Sequence, residues 1–228
     1  MTRTRILLAD EHRMVCAAIQ SILEPHHEVV GSVGDGRALL KAATALKPDV
    51  VLLEVSMPLL NGLDAARKLK KTMPHVKLIF LTMNTDADIA GEAFRLGASA
   101  YLLKSSLASE LLKAVGNALS GRTYCTPRIE QALEETRERD PKAANRLRRL
   151  TARQREVLQM LAEGRPMTET ASLLGIVYRT VRFHKARIME ELQIKTNAEM
   201  VQYAMKNALI PQASKDLRVC GSRSLTAF

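Results

Sequence analysis

Over the first 120 residues, short β-branched runs alternate with segments whose apolar residues recur at helical spacing. The candidate strands are Ile6–Ala9, Val29–Val33, Val50–Glu54, Lys77–Thr82 and Ala100–Leu103. Between them, Val15, Ala18, Ile19, Ile22 and Leu23 repeat at the helical period, as do Leu111, Val115 and Leu119. Strand–helix alternation of this kind requires a parallel sheet with crossover helices. The expected fold is therefore α/β, a doubly wound five-stranded parallel sheet. In such sheets, sites form beyond the carboxyl ends of the strands, where the strand order reverses.

The alternation stops near residue 120, and the chain of 228 residues has room for a second small domain. Gly121 follows the last helix of the first unit. Arg128–Arg139 has the composition of a charged helix, which Asp140-Pro141 interrupts. From Leu150 to Leu209 the strand pattern is replaced by four helical segments, separated at Gly164-Arg165-Pro166, Gly175 and Lys195-Thr196. The expected organisation is an α/β domain over 1–120, a partly helical linker over 121–148, an all-α four-helix domain over 149–210, and a flexible tail over 211–228.

Charge separates the two domains. Residues 1–120 carry 14 Lys/Arg against 12 Asp/Glu, whereas residues 145–228 carry 15 against 7. A basic domain beside a nearly neutral one points to a polyanionic partner. With 4% aromatic residues and no Trp, a base-stacking surface for single strands is not expected. No apolar run approaches the ~18 residues of a membrane span, and Thr2-Arg3-Thr4-Arg5 opens the chain without an apolar signal segment. Cys16, Cys125 and Cys220 are odd in number and widely spaced, which suits neither a disulfide framework nor a zinc site. A cytoplasmic protein without membrane contact is expected.

The chemistry of the first domain lies at successive strand ends. Asp10 and Glu11 follow strand 1, Glu54 ends strand 3, Thr82 ends strand 4 and Lys104 ends strand 5. Strands 1 and 3 are neighbours in a doubly wound sheet, so three carboxylates converge at one rim. Oxygen ligands of this type suit a hard cation such as Mg²⁺. Gly31–Gly36 superficially resembles a phosphate loop, but it lacks the Gly-Lys-Ser/Thr ending and is read as a turn before helix 2.

The runs Leu7-Leu8-Ala9-Asp10-Glu11-His12, Glu54-Val55-Ser56-Met57-Pro58 with Gly62, Leu81-Thr82, and Gly97 through Lys104 resemble the flavodoxin-like receiver domain of response regulators. The resemblance implies that Asp10, Glu11, position 54 and the Ser56 carbonyl hold Mg²⁺. It further implies that Thr82 and Lys104 bind a phosphoryl group and that Tyr101 is the aromatic switch. Position 54 departs from the family, since Glu stands where the phospho-acceptor Asp is expected. Glu is one methylene longer, and an error of about 1 Å in an in-line transfer costs on the order of 100-fold. A natural receiver that no longer uses phosphate and an Asp→Glu change that imitates phosphorylation both fit this residue.

In the second domain, Thr151 is expected to cap the first helix. Glu169–Leu174, the turn Gly175-Ile176-Val177 and Tyr178–Leu192 read as helix-turn-helix. On the last of these, Val181, His184, Ile188 and Leu192 share one stripe. Arg179, Phe183 and Ala186 lie opposite, flanked by Thr180, Arg182 and Arg187. Arg can pair with guanine, Phe and Ala can touch thymine methyls, and Thr180 can meet phosphate, so this face suits a major groove. Arg155-Glu156-Val157-Leu158, Leu161 through Gly164, Thr180-Val181 with His184, and Ala198-Glu199 resemble the LuxR-type domain of the NarL/FixJ class. Val177 stands where that class carries a capping Ser.

The combined resemblance implies a DNA-binding transcriptional response regulator of a two-component phosphorelay. Double-stranded DNA, a sensor histidine kinase and a second copy of the chain are the implied partners, and the protein is not expected to be an enzyme. A phosphotransfer or phosphatase-like enzyme built on the acidic cluster is the alternative, as is a receiver-only interaction module. Both leave the basic helix-turn-helix without a purpose.

Overall fold

The computed structural model describes residues 3–137 and 150–211. The expected Asp140-Pro141 break and nearly all of the expected tail lie outside them. Five strands, β1 (Arg5–Ala9), β2 (Glu28–Val33), β3 (Val50–Leu53), β4 (Lys77–Thr82) and β5 (Ala100–Leu103), alternate with α1 (Arg13–Leu23), α2 (Gly36–Leu46), α3 (Gly62–Thr72), α4 (Ala87–Arg95) and α5 (Ala108–Leu119). A sixth short strand, β6 (Tyr124–Cys125), extends the sheet, whose order is β2-β1-β3-β4-β5-β6, parallel throughout. The five-strand expectation is corrected here, because a two-residue strand carries no periodicity to read. The Tyr124 hydroxyl donates to Glu110 on α5 at 3.0 Å, which ties the new edge down.

Pleating divides the strand residues between two cores. Leu7, Ala9, Val51, Leu53, Phe80 and Tyr101 face α2, α3 and α4, while Ile6, Leu8, Val50, Leu52, Ile79 and Leu81 face α1 and α5. Both faces are covered, which is why these strands read as continuous apolar runs. Helix α6 (Pro127–Arg137) packs on α4 and buries Ile129 in the first of these cores. The Gly31–Gly36 run is the end of β2 followed by the start of α2, where Asp35 accepts from the amides of Arg37 at 2.9 Å and Ala38 at 2.8 Å.

The second domain is α7 (Ala152–Ala162), α8 (Met167–Leu174), α9 (Tyr178–Leu192) and α10 (Asn197–Lys206) around Val157, Leu158, Met160, Val181, Ile188 and Met200. Thr151 and Gln154 form the capping box of α7. Gly175 ends α8 at φ 63°, the left-handed conformation that lets the chain turn into α9.

Candidate phosphoryl-sensing pocket and nucleic-acid interface

Parallel pairing in register brings the ends of β1, β3, β4 and β5 to one rim, and the side chains that follow them meet there. Glu54 is 6% exposed. One of its oxygens, Oε1, accepts from the Val55 amide at 2.6 Å, the Ser56 amide at 3.3 Å and the Thr82 hydroxyl. The other, Oε2, lies 2.8 Å from Lys104 Nζ, which also sits 2.5 Å from Asp10 Oδ2. Burial alone would lower the Lys104 pKa. Glu54 and Asp10 outweigh it, and the net shift is upward. The ammonium is therefore held charged between two carboxylates.

Beside this pair, Asp10 Oδ1 accepts from the His12 amide at 2.9 Å and lies 3.0 Å from His12 Nδ1. Glu11 is the carboxylate left with least compensation. Burial raises its pKa first, and the charges of Asp10 and Glu54 raise it further against the opposing effects of His12 and Lys104. No group of three or more Asp, Glu, His or Cys side chains among the described residues is gathered as a ready cation cage. The Glu54 oxygens are engaged with Thr82 and Lys104, and Ser56 Oγ donates to the Ala208 carbonyl at 3.3 Å.

Tyr101 is fully buried, its ring 6.1 Å from that of Phe80, and its hydroxyl donates to the Asn84 carbonyl at 3.0 Å. Burial, then Glu54, pushes its phenol pKa up, so the hydroxyl stays a donor. The Asn84 amide in turn donates to Thr82 Oγ1 at 3.1 Å. A continuous path thus runs from Glu54 through Thr82 and Asn84 to Tyr101. Asn84 carried no signal in the sequence, since its role is made by main-chain atoms.

On α9, Val181 and Ile188 are fully buried and His184 is half-buried, with burial lowering its imidazole pKa. Arg179, Arg182, Phe183, Ala186 and Arg187 are exposed, and Thr180 is partly so. Phe183 retains 58% exposure, and the Arg187 guanidinium lies 5.7 Å over its ring while bonding Glu190 at 3.1 Å. Val177 begins the helix with no side-chain cap bond. Together with the pocket, this arrangement pairs a buried carboxylate–ammonium cluster with an open basic helix face.

Residues 6–116 match the response regulator receiver domain, and residues 148–204 match the bacterial regulatory proteins of the luxR family. The chain is 31% identical over 208 residues to the response regulator protein VraR of Staphylococcus epidermidis, covering 90% of this chain and 98% of that protein.

The chain is a response regulator.

Response regulator UvrY of Escherichia coli O6:H1 is 30% identical over 206 residues, covering 90% of this regulator and 94% of its own length. Among solved structures, RcsB from Salmonella enterica serovar Typhimurium, bound to promoter rprA in the presence of the phosphomimetic BeF3-, matches with 26% identity and a TM-score of 0.58. The match covers 88% of this chain and 98% of that one. Both domains of the family are therefore present, in the family's order. Sequence reasoning missed one set of residues in this regulator: Asn61, Asp64, Arg155, Glu156 and Gln159, which meet between the domains. A polar residue within an amphipathic helix reads as solvated until its partner surface is known.

Proposed function

We propose that the protein is a DNA-binding transcription regulator whose receiver is held in its activated arrangement by Glu54, without phosphate. One observation carries this reading. A single carboxylate engages both the Thr82 hydroxyl and the Lys104 ammonium, the two groups that the family directs at a phosphoryl group. The fully buried Tyr101 supports it, as the inward position of the aromatic switch. Glu54 supplies one negative charge where a phosphoryl group supplies nearly two, so activation is partial. Its extra methylene also displaces the carboxylate from the in-line geometry of an acceptor.

A magnesium ion, where bound, would be held by Asp10, Glu11 and the Ser56 carbonyl, all hard oxygen donors, with Glu54 contributing to the extent that it releases Lys104. It would supply positive charge beside Glu11, the carboxyl whose ionisation burial and its neighbours oppose. Arg179, Thr180, Arg182, Phe183, Ala186 and Arg187 form the major-groove face of α9. Double-stranded DNA, a second copy of the chain and, from the receiver family, a sensor histidine kinase are the partners. The RcsB structure solved on a promoter favours the DNA assignment. No helix among the described residues is long and apolar enough to cross a membrane, and we assign the protein to the cytoplasm as a regulator, not an enzyme.

The test is incubation with acetyl phosphate followed by intact-mass measurement, beside a duplex-DNA titration without any phosphoryl donor. The reading expects no added phosphate and DNA binding that acetyl phosphate leaves unchanged. Stoichiometric phosphorylation that strengthens DNA binding would contradict it.

A further inference from the structure

The helix-turn-helix is fastened to the receiver chiefly through α7, in a contact that leaves the α9 face exposed. Gln159 of α7 is completely buried. Its Oε1 accepts from the Asn61 amide at 2.8 Å and from Asn61 Nδ2 at 3.2 Å, and its Nε2 donates to the Met57 carbonyl at 2.7 Å. Glu163, one turn on, accepts from the Leu59 amide at 3.0 Å. Around this centre, Arg155 holds Asp64 with NH2 2.8 Å from Oδ1, Lys68 meets Glu156 at 2.5 Å, and Arg37 donates to the Leu173 carbonyl at 2.8 Å. Asn61, Asp64 and Glu156 are each no more than 5% exposed. Buried polar groups paired from both sides fix one register between the surfaces.

The receiver side of this contact is the strap that leaves the acidic pocket. Val55 and Ser56 donate their amides to Glu54, and Met57, Leu59 and Asn61 hold α7 a few residues later. The strap is itself braced: Gly62 donates to the Val55 carbonyl at 2.7 Å, Leu60 donates to the Pro58 carbonyl at 2.7 Å, and Leu59 turns the chain at φ 63°. The pocket and the DNA-binding domain are thus opposite ends of one short, hydrogen-bonded segment. Meanwhile Arg179, Arg182, Phe183, Ala186 and Arg187 remain open to solvent, so the docked receiver does not cover them.

We propose that the docked arrangement is the DNA-binding form, with the receiver acting as a scaffold that holds the helix-turn-helix through α7, not as a lid that must leave the recognition helix. This rests on the reading of α9 as the DNA-contacting helix. In a dimer, a docked helix-turn-helix presents its twin at a fixed separation, and the second contact with DNA benefits from a high effective concentration. A domain freed onto a tether loses that benefit. Scaffold and lid therefore predict opposite responses to loosening the contact.

The experiment uses the full chain in three forms: the parent, Gln159→Ala combined with Lys68→Glu, and Lys68→Arg, which keeps a cation for Glu156 and leaves the Arg153–Glu156 pair untouched. Gln159 bonds only receiver groups and Glu163 among the described residues, so its loss leaves the helix-turn-helix core intact. Solution X-ray scattering reports docking, and a titration against a duplex that the parent selects from a random-sequence pool reports binding. The loosened protein should be more extended and bind on the order of tenfold more weakly, and Lys68→Arg should stay compact and bind like the parent. An extended protein that binds as well as the parent or better overturns the proposal, and so does a loosened protein as compact as the parent. A parent that selects no duplex removes the DNA-binding reading itself, and the proposal with it.

Discussion

The carboxylate of Glu54 and the ammonium of Lys104 lie 2.8 Å apart at the carboxyl ends of β3 and β5, while the other oxygen of the same carboxylate takes the Thr82 hydroxyl. This is a charge pair between neighbours of β4, which places Thr82 between them. Its neighbours are Tyr101, reached through Thr82 and Asn84, and the strap whose Val55 and Ser56 amides donate to Glu54.

The strap leaves no room at Gly62. A Cβ there would stand 2.1 Å from the Glu54 carbonyl oxygen, a backbone atom that cannot yield cheaply. Gly62→Ala should destabilise the receiver by about 3 kcal/mol in urea unfolding, the upper range for overpacking. An effect below about 1 kcal/mol would show that the strap is looser than described.

The start of the recognition helix is improvable. Val177 is 68% exposed and makes no cap bond, leaving first-turn amides without a side-chain acceptor. Val177→Ser should stabilise the second domain by about 1 kcal/mol, read as a higher melting temperature. No gain would mean that another group already satisfies those amides.

On the exposed face, Arg182→Ala should weaken binding to a selected duplex by roughly 1–3 kcal/mol. Arg122→Ala, exposed beyond α5, should change it little. Arg153 is not a neutral control, because it donates to the Leu174 carbonyl at 2.8 Å and braces the end of α8. Equal losses at Arg182 and Arg122 would mean that the face is read wrongly.

Glu11 makes the cation site testable by pH. Its folded-state pKa is raised, chiefly by burial and then by Asp10 and Glu54, so its ionised form costs stability at neutral pH. That cost is relieved as pH falls through the raised value, and is gone below the ordinary 4.5. Without divalent cations, Glu11→Gln should therefore melt higher than the parent at neutral pH, with the difference shrinking to nothing in acid. Mg²⁺ should raise the melting temperature of the parent by mass action and fail to do so for Asp10→Asn. A magnesium effect that survives Asp10→Asn places the cation elsewhere.

Much of this was legible in the sequence, for a definite reason. Strands buried on both faces and amphipathic helices announce themselves by period, so β1, β3, β4 and β5 and the four helices of the second domain were found to within a few residues. Asp10, Glu54, Thr82 and Lys104 were placed together because strand ends in a parallel sheet share one rim. What escaped was made by pairing across distance. The strand Tyr124–Cys125 exists because β5 offers an open edge, and Gln159 is buried because Asn61 and Met57 receive it. Neither fact has a local pattern.

If Glu54 holds the receiver as a phosphoryl group would, removing its carboxylate must change how the protein self-associates. Sedimentation velocity of the parent and of Glu54→Ala, both without acetyl phosphate, decides this. Removing the carboxylate leaves Thr82 and Lys104 without the group they share, and the equilibrium between receiver states should move away from the activated one. The dimer fraction of Glu54→Ala should then fall well below that of the parent at equal concentration. A Glu54→Ala protein that dimerises as fully as the parent would mean that Glu54 only fills its position and does not imitate phosphate.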